Sequence, residues 1–156
     1  LIDLQKGGLL ELFLALPYEF LVLDILLNDE LLSFTNKELR LMRHRMMVTS
    51  LDGGEIDRVA ETQREVPQLT IYDCGSLVLS QRDLGGILLV GDRRLRKKAE
   101  GKGIDCRGVL WIVEQLRSTP GISRATLMKA LHIWSEDPTV RLPAGAIDEA
   151  ILGLKR

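Results

Sequence analysis

Five acidic residues fall where strands should end or helices begin: Asp24, Asp29, Glu30, Asp73 and Asp92. Asp92 has the most telling surroundings. The run Gly86-Ile87-Leu88-Leu89-Val90 stops at Gly91-Asp92 and passes into Arg93, Arg94, Arg96, Lys97 and Lys98. In a parallel α/β sheet the carboxyl ends of strands face the crevice where ligands bind. Carboxylates converging there repel each other unless a hard cation holds them, and Mg²⁺ or Mn²⁺ prefers such oxygen ligands. A metal held in this way makes a nucleophilic hydroxide and neutralises charge developing on a phosphate. The plainer reading is a helix cap, because Asp is favoured at the N-cap and complements the helix dipole. Asp24 reads best as a cap. For Asp29 and Glu30, a solvated helix face and a ligand role stand level.

Other chemistries find no footing. The chain has no Gly-x-x-x-x-Gly-Lys phosphate cradle and no Gly-x-Gly-x-x-Gly after a strand. It has no Gly-x-Ser-x-Gly elbow for a nucleophilic serine. His44 lies among Arg40, Arg43 and Arg45, and His132 near Trp134, neither with a motif partner. Cys74 adjoins Asp73, whose charge raises a thiol pKa, so a buried structural cysteine is expected. Cys74 and Cys106 form neither a metal spacing nor a disulfide framework, which makes a reducing cytoplasm the default.

The elements that must position these acids follow from pattern. With 156 residues and 46% hydrophobic content, one domain with a full core is expected. A net charge of −1 means any polyanion site must come from local clustering. Charges break every apolar stretch short of the roughly 18 residues a membrane span needs. Residues 1–16 read as a helix weakened at Gly7-Gly8, and Phe20-Leu21-Val22-Leu23 as a buried strand. A helical stretch runs through Asn28, Asp29, Glu30 and Leu32, followed by a charged helix over 36–45. A strand from Met46 to Leu51 closes at the turn Asp52-Gly53-Gly54, and a helix covers 55–65. Tyr72 opens a short helix ending near Arg82, and the strand 87–90 precedes the helix 93–101, which a glycine stops. A last strand, 104–108, leads to helices over 109–117, 123–134 and 144–154. The alternation predicts an α/β fold with a mainly parallel sheet.

These residues resemble the PIN domain family, in particular its VapC-like members. Asp73 and the segment Leu88-Leu89-Val90-Gly91-Asp92-Arg93-Arg94-Leu95-Arg96 are similar to the second half of that domain. The similarity runs on through Lys98-Ala99-Glu100 and Gly103-Ile104-Asp105-Cys106-Arg107-Gly108. Val22 to Leu31 resembles the family's second strand and acid-bearing helix, and Arg141-Leu142-Pro143 its exit to a terminal helix. The resemblance implies a three-layer α/β/α sandwich around a mainly parallel central sheet, as a single domain over 1–156. It implies a metal-dependent endoribonuclease that hydrolyses single-stranded RNA, the toxin of a toxin–antitoxin pair, with Mg²⁺ or Mn²⁺ as cofactor. By position, Asp73 and Asp92 are then acids of the metal site, joined by Asp29 or Glu30. An ungapped count from Asp24 favours Asp29, while the following Leu31-Leu32 favours Glu30, which is preferred as the catalytic acid. Arg93, Arg94, Arg96 and Lys97 would hold the RNA backbone, contacts that position RNA without specifying sequence. An antitoxin protein and a second copy are further partners to expect, from the Leu- and Ile-rich stretches near the start and around Trp134. Core packing is the commoner use of such stripes.

One departure stands out. The family's first acid ends its first strand just before a Leu-Ile-Asp-Leu-like helix, and this sequence opens at Leu1-Ile2-Asp3-Leu4. Asp3 lies too far into the helix to substitute. The expectation is that a segment upstream, with the central first strand, is missing from the sequence. The alternative function is therefore a catalytically impaired PIN-like module that serves as an RNA- or protein-binding platform. A third reading is an acid-site phosphohydrolase for a small phosphoester.

Overall fold

A computed structural model describes residues 1–30, 32–83, 85–143 and 145–155, without the side chain of Glu30. The chain forms two compact units, one of Leu1–Tyr18 with Gly108–Arg156, the other of Glu19–Arg107.

The second unit carries all the described strands. β1 (Phe20–Leu23) pairs in parallel with β2 (Met46–Thr49), placing Phe20 opposite Met46 and Leu23 opposite Thr49. β3 (Ile87–Leu89) pairs in parallel with β4 (Asp105–Arg107), Leu88 opposite Cys106. Parallel pairing demands a crossover, and the helices between the strands supply it. α3 (Asn36–Arg45) joins β1 to β2; α4 (Gly53–Glu65) and α5 (Ile71–Ser80) join β2 to β3; α6 (Arg93–Glu100) joins β3 to β4. The α/β class and the parallel pairing predicted from alternation are thus observed. Among the described residues the strands form two separate two-stranded ladders.

Period-3.6 patterning places the core between helices and strands. α5 buries Cys74, Leu77 and Val78 against Leu88 and Val90, with Leu95 and Ala99 of α6 in the same cluster. α5 packs chiefly on α4, and it also touches β1, β3 and α6. Gly75 lets it approach β1, because a Cβ there would sit 2.7 Å from Leu23 Cδ1. Each fully buried Leu or Val side chain in this cluster contributes about 1.5–3 kcal/mol by leaving water.

Local chemistry fixes the helix starts. Thr35 with Glu38, Asp52 with Glu55 and Thr70 with Asp73 each form a reciprocal capping box. Two orphan N–H groups at each start are thereby satisfied. Gly53 and Gly54, expected as a turn, instead form the first turn of α4, because Asp52 caps it. The stretch expected to be helical around Asp29 is a short π-helical turn, Leu26–Glu30.

The first unit is helical: α1 (Ile2–Lys6), α2 (Leu10–Leu14), α7 (Val109–Arg117), α8 (Arg124–Glu136) and α9 (Ala146–Lys155). The break expected at Gly7-Gly8 is present, with Gly8 at φ 68°. Gly7 also makes room for Trp134, whose indole Nε1 would lie 2.8 Å from an added Cβ and donates to the Asp3 carbonyl at 2.7 Å. Leu4, Leu9, Phe13, Leu127, Leu131 and Trp134 are buried. The apolar stripes offered as partner surfaces are therefore core. No described helix is long and apolar enough to cross a membrane.

Candidate nucleic-acid interface

Both ladders carry charged residues at their carboxyl ends, and the two ends are built differently.

At the β1–β2 end Asp24, Glu55 and Arg82 are all engaged by other residues of the chain. Asp24 follows β1 directly; its Oδ2 accepts from Ser50 Oγ at 2.7 Å and its Oδ1 from the Ile25 amide at 2.7 Å. The Ser50 hydroxyl, then that amide, hold its carboxyl below the usual carboxylate range. Beside it Glu55, 4% exposed, receives the Arg82 guanidinium as a two-pronged ion pair, Nε to Oε1 at 2.7 Å and Nη2 to Oε2 at 2.5 Å. The Asp52 amide donates to Glu55 Oε2 at 2.9 Å. These donors, the Arg82 bond first, bring the Glu55 pKa from 4.5 down to about 2. Arg82 also donates to Thr49 Oγ1 at 3.0 Å and to the Ser50 carbonyl at 2.8 Å. The result is a closed network running from α5 through the end of β2 to Asp24. Sequence reasoning missed it. The Asp52-x-x-Glu55 capping signature was legible, but nothing in the sequence pairs Arg82 with Glu55 across 27 residues.

At the β3–β4 end the charges divide. Asp92 is the N-cap of α6, its Oδ1 accepting from the Arg94 amide at 2.7 Å and the Leu95 amide at 2.9 Å. Arg96 turns inward and donates to the Cys106 carbonyl at 2.8 Å and the Val90 carbonyl at 3.2 Å, tying the strand ends to α6. Lys98 forms an ion pair with Glu65. Arg93, Arg94 and Lys97 are exposed, and they make no ion pair or side-chain hydrogen bond with any described residue. Lys97 lies four residues after Arg93 and three after Arg94, the spacings at which helix side chains are neighbours, so it links the three cations into one patch in the first turns after Asp92.

Of the acids named from sequence, Asp73 is half-buried at the start of α5. Its Oδ2 accepts from the Thr70 amide at 3.0 Å and the Thr70 hydroxyl at 2.9 Å. Asp29 is exposed on the π-helical turn. The Glu30 side chain lies outside the described residues. Asp73 Oδ1 and Asp92 Oδ2 take no hydrogen bond from a described residue, and hard oxygen donors of this kind suit Mg²⁺ or Mn²⁺. The grouping is lacking, however: among the described residues no three His, Cys, Asp or Glu side chains gather closely enough to hold a metal ion. The described acids on their own do not fit a divalent-metal site.

Of the four cations named from sequence, Arg96 is engaged by carbonyls and the other three meet no partner among the described residues. Cys74 is fully buried; burial pushes its thiol pKa up and Asp73 adds to the rise, as befits a structural cysteine. Burial likewise raises Cys106. His44 and His132 are exposed.

In comparisons with known proteins, no family model, no curated protein and no solved structure matches this chain.

Proposed function

We propose that this chain engages single-stranded RNA through its phosphate backbone, in the service of metal-dependent endonucleolytic cleavage of the PIN type. On this reading the two parallel ladders belong to the three-layer sandwich of that family, and the protein acts as the toxin of a toxin–antitoxin pair. The observation that supports it is the free cationic face Arg93, Arg94 and Lys97 beside Asp92 at the end of β3. Exposed cations without intramolecular partners are available to phosphates, whereas Arg96 and Lys98 are not. With 4% aromatic residues, base stacking has few platforms, so shape and backbone recognition should dominate. Asp73 and Asp92 contribute two carboxylates, each with one oxygen unclaimed, and Glu30 is the third acid by its place in the sequence.

A second reading keeps the RNA contact and omits cleavage: a platform that binds RNA or protein. It rests on the cationic face of α6 alone and needs no metal ion.

One experiment separates these readings. Binding of a labelled single-stranded oligoribonucleotide is followed by anisotropy across a salt series, for the parent and for a triple Arg93→Ala, Arg94→Ala, Lys97→Ala variant. Each lost phosphate contact lowers the slope of log K against log salt by about 0.7, so the triple variant should lose about 2. An unchanged slope would remove the RNA interface from α6. Cleavage of the same oligonucleotide with added Mg²⁺ or Mn²⁺ is then compared for Asp73→Asn and Asp92→Asn. Loss of cutting in both supports the nuclease. Binding without cutting in the parent supports the platform.

A further inference from the structure

We infer that the outer edge of β2 is a docking site for an extended acidic segment of a partner protein, added as a further strand. The edge is open: among the described residues β2 pairs with β1 alone. It is also unguarded. Natural edge strands carry Lys, Pro or a bulge that discourages pairing, but β2 reads Met46-Met47-Val48-Thr49, with Met47 62% and Val48 37% exposed. The cross-strand neighbour of Met47 is Leu21, itself 48% exposed, which extends the apolar surface onto β1.

Charge complementarity selects the occupant. The last turns of α3 run straight into β2 and deliver Arg40, Arg43, His44 and Arg45, all exposed. Arg43 donates to Asn28 Oδ1 at 2.9 Å. Arg40, His44 and Arg45 make no ion pair or side-chain hydrogen bond with any described residue. Glu19, which precedes β1 next to the Phe20–Met46 pair, forms no ion pair with Arg45. A chain with a net charge of −1 has concentrated unneutralised positive charge at one end of an apolar, hydrogen-bonding edge. An added strand meets the backbone groups of β2 through its own main chain. It lays alternate apolar side chains over Met47 and sets carboxylates against Arg40 and Arg45, as in strand-addition recognition generally. This partner site uses none of the α6 cations and does not depend on RNA binding there.

The test uses the whole chain and two capped peptides, Asp-Glu-Val-Thr-Val-Thr-Val-Glu-Asp and its counterpart with Lys at the four acidic positions. The acidic peptide should bind, with affinity falling as salt rises. On binding, the Met47 and Val48 amides should gain protection from hydrogen exchange. Charge reversal in an Arg40→Glu, Arg45→Glu variant should weaken it about tenfold and shift preference toward the Lys peptide. Both positions are exposed, so the fold should survive, which circular dichroism checks. Equal binding of the two peptides, or binding without protection of those amides, overturns the proposal. So does displacement of the acidic peptide by oligouridine with the same sensitivity to charge reversal, which makes the surface a nucleic-acid contact. A dimer of the free chain in which the β2 amides are already protected overturns it as well, since a second copy then occupies the edge.

Discussion

The two strand ends of the second unit use the same residue types for opposite purposes. At β1–β2, Arg82 meets the buried Glu55 carboxylate with two donors and turns two more to Thr49 and Ser50. At β3–β4, Arg96 is engaged by two carbonyls, Arg107 by Asp105 and Lys98 by Glu65, while Arg93, Arg94 and Lys97 meet no partner among the described residues. An arginine engaged in this way positions the chain. A cluster with every donor free is available to a ligand. Both ends carry an Asp that accepts backbone amides, so the acids alone do not distinguish them; the partners of the cations do.

The comparison can be broken most decisively at Arg82. Arg82→Leu leaves the buried Glu55 carboxylate with only the Asp52 amide and Arg58, and a buried charge short of partners is destabilising. A drop in thermal midpoint of about 5 °C or more is expected by calorimetry. A smaller drop than in Arg93→Leu would mean that the closed network does not hold the β1–β2 end together. Arg96→Leu comes next: leaving the Cys106 and Val90 carbonyls short of a donor should cost about 1–2 kcal/mol in urea melts. RNA affinity should change far less than in the triple Arg93, Arg94, Lys97 variant. Equal losses of affinity would erase the division between engaged and free arginines.

Acid titration sharpens the same contrast. The folded Glu55 pKa of about 2 lies below its ordinary 4.5. Its contribution is therefore fully present above 4.5 and is lost as pH falls from there toward 2. The midpoint difference between the parent and Arg82→Leu should shrink over that interval. A constant difference would show that the pair does not set it. The smallest effect is at Asp92. Asn caps about as well as Asp, so Asp92→Asn should shift stability by only a few tenths of a kcal/mol, whereas Asp92→Ala should cost about 1 kcal/mol. Asp92→Asn thus isolates the role of charge in any nuclease assay, and a large stability loss in it would remove that use.

Much of the second unit was legible because its signals are local. The strands at 20–23 and 87–90, the helix after Asp92 and the glycine stop after Glu100 depend on residues close in sequence, and the structure places them within a residue or two. The reading of Asp92 as a cap is borne out by the two amides it accepts. A cap leaves its second oxygen available, so this does not decide between structure and chemistry.

The sequence by itself determined the order of elements, the parallel pairing expected of strand–helix alternation and the concentration of positive charge after Asp92. Each follows from periodicity, capping preference or composition within a short window. Only the tertiary structure decided which cations are free, because Arg96 and Arg93 are indistinguishable in a basic run until the Cys106 and Val90 carbonyls come within reach of one of them. It alone joined Arg82 to Glu55, and it alone left β2 as an open edge beside an unpaired cationic helix end. Hydrogen bonds act over about 3 Å, and folding determines which residues come that close.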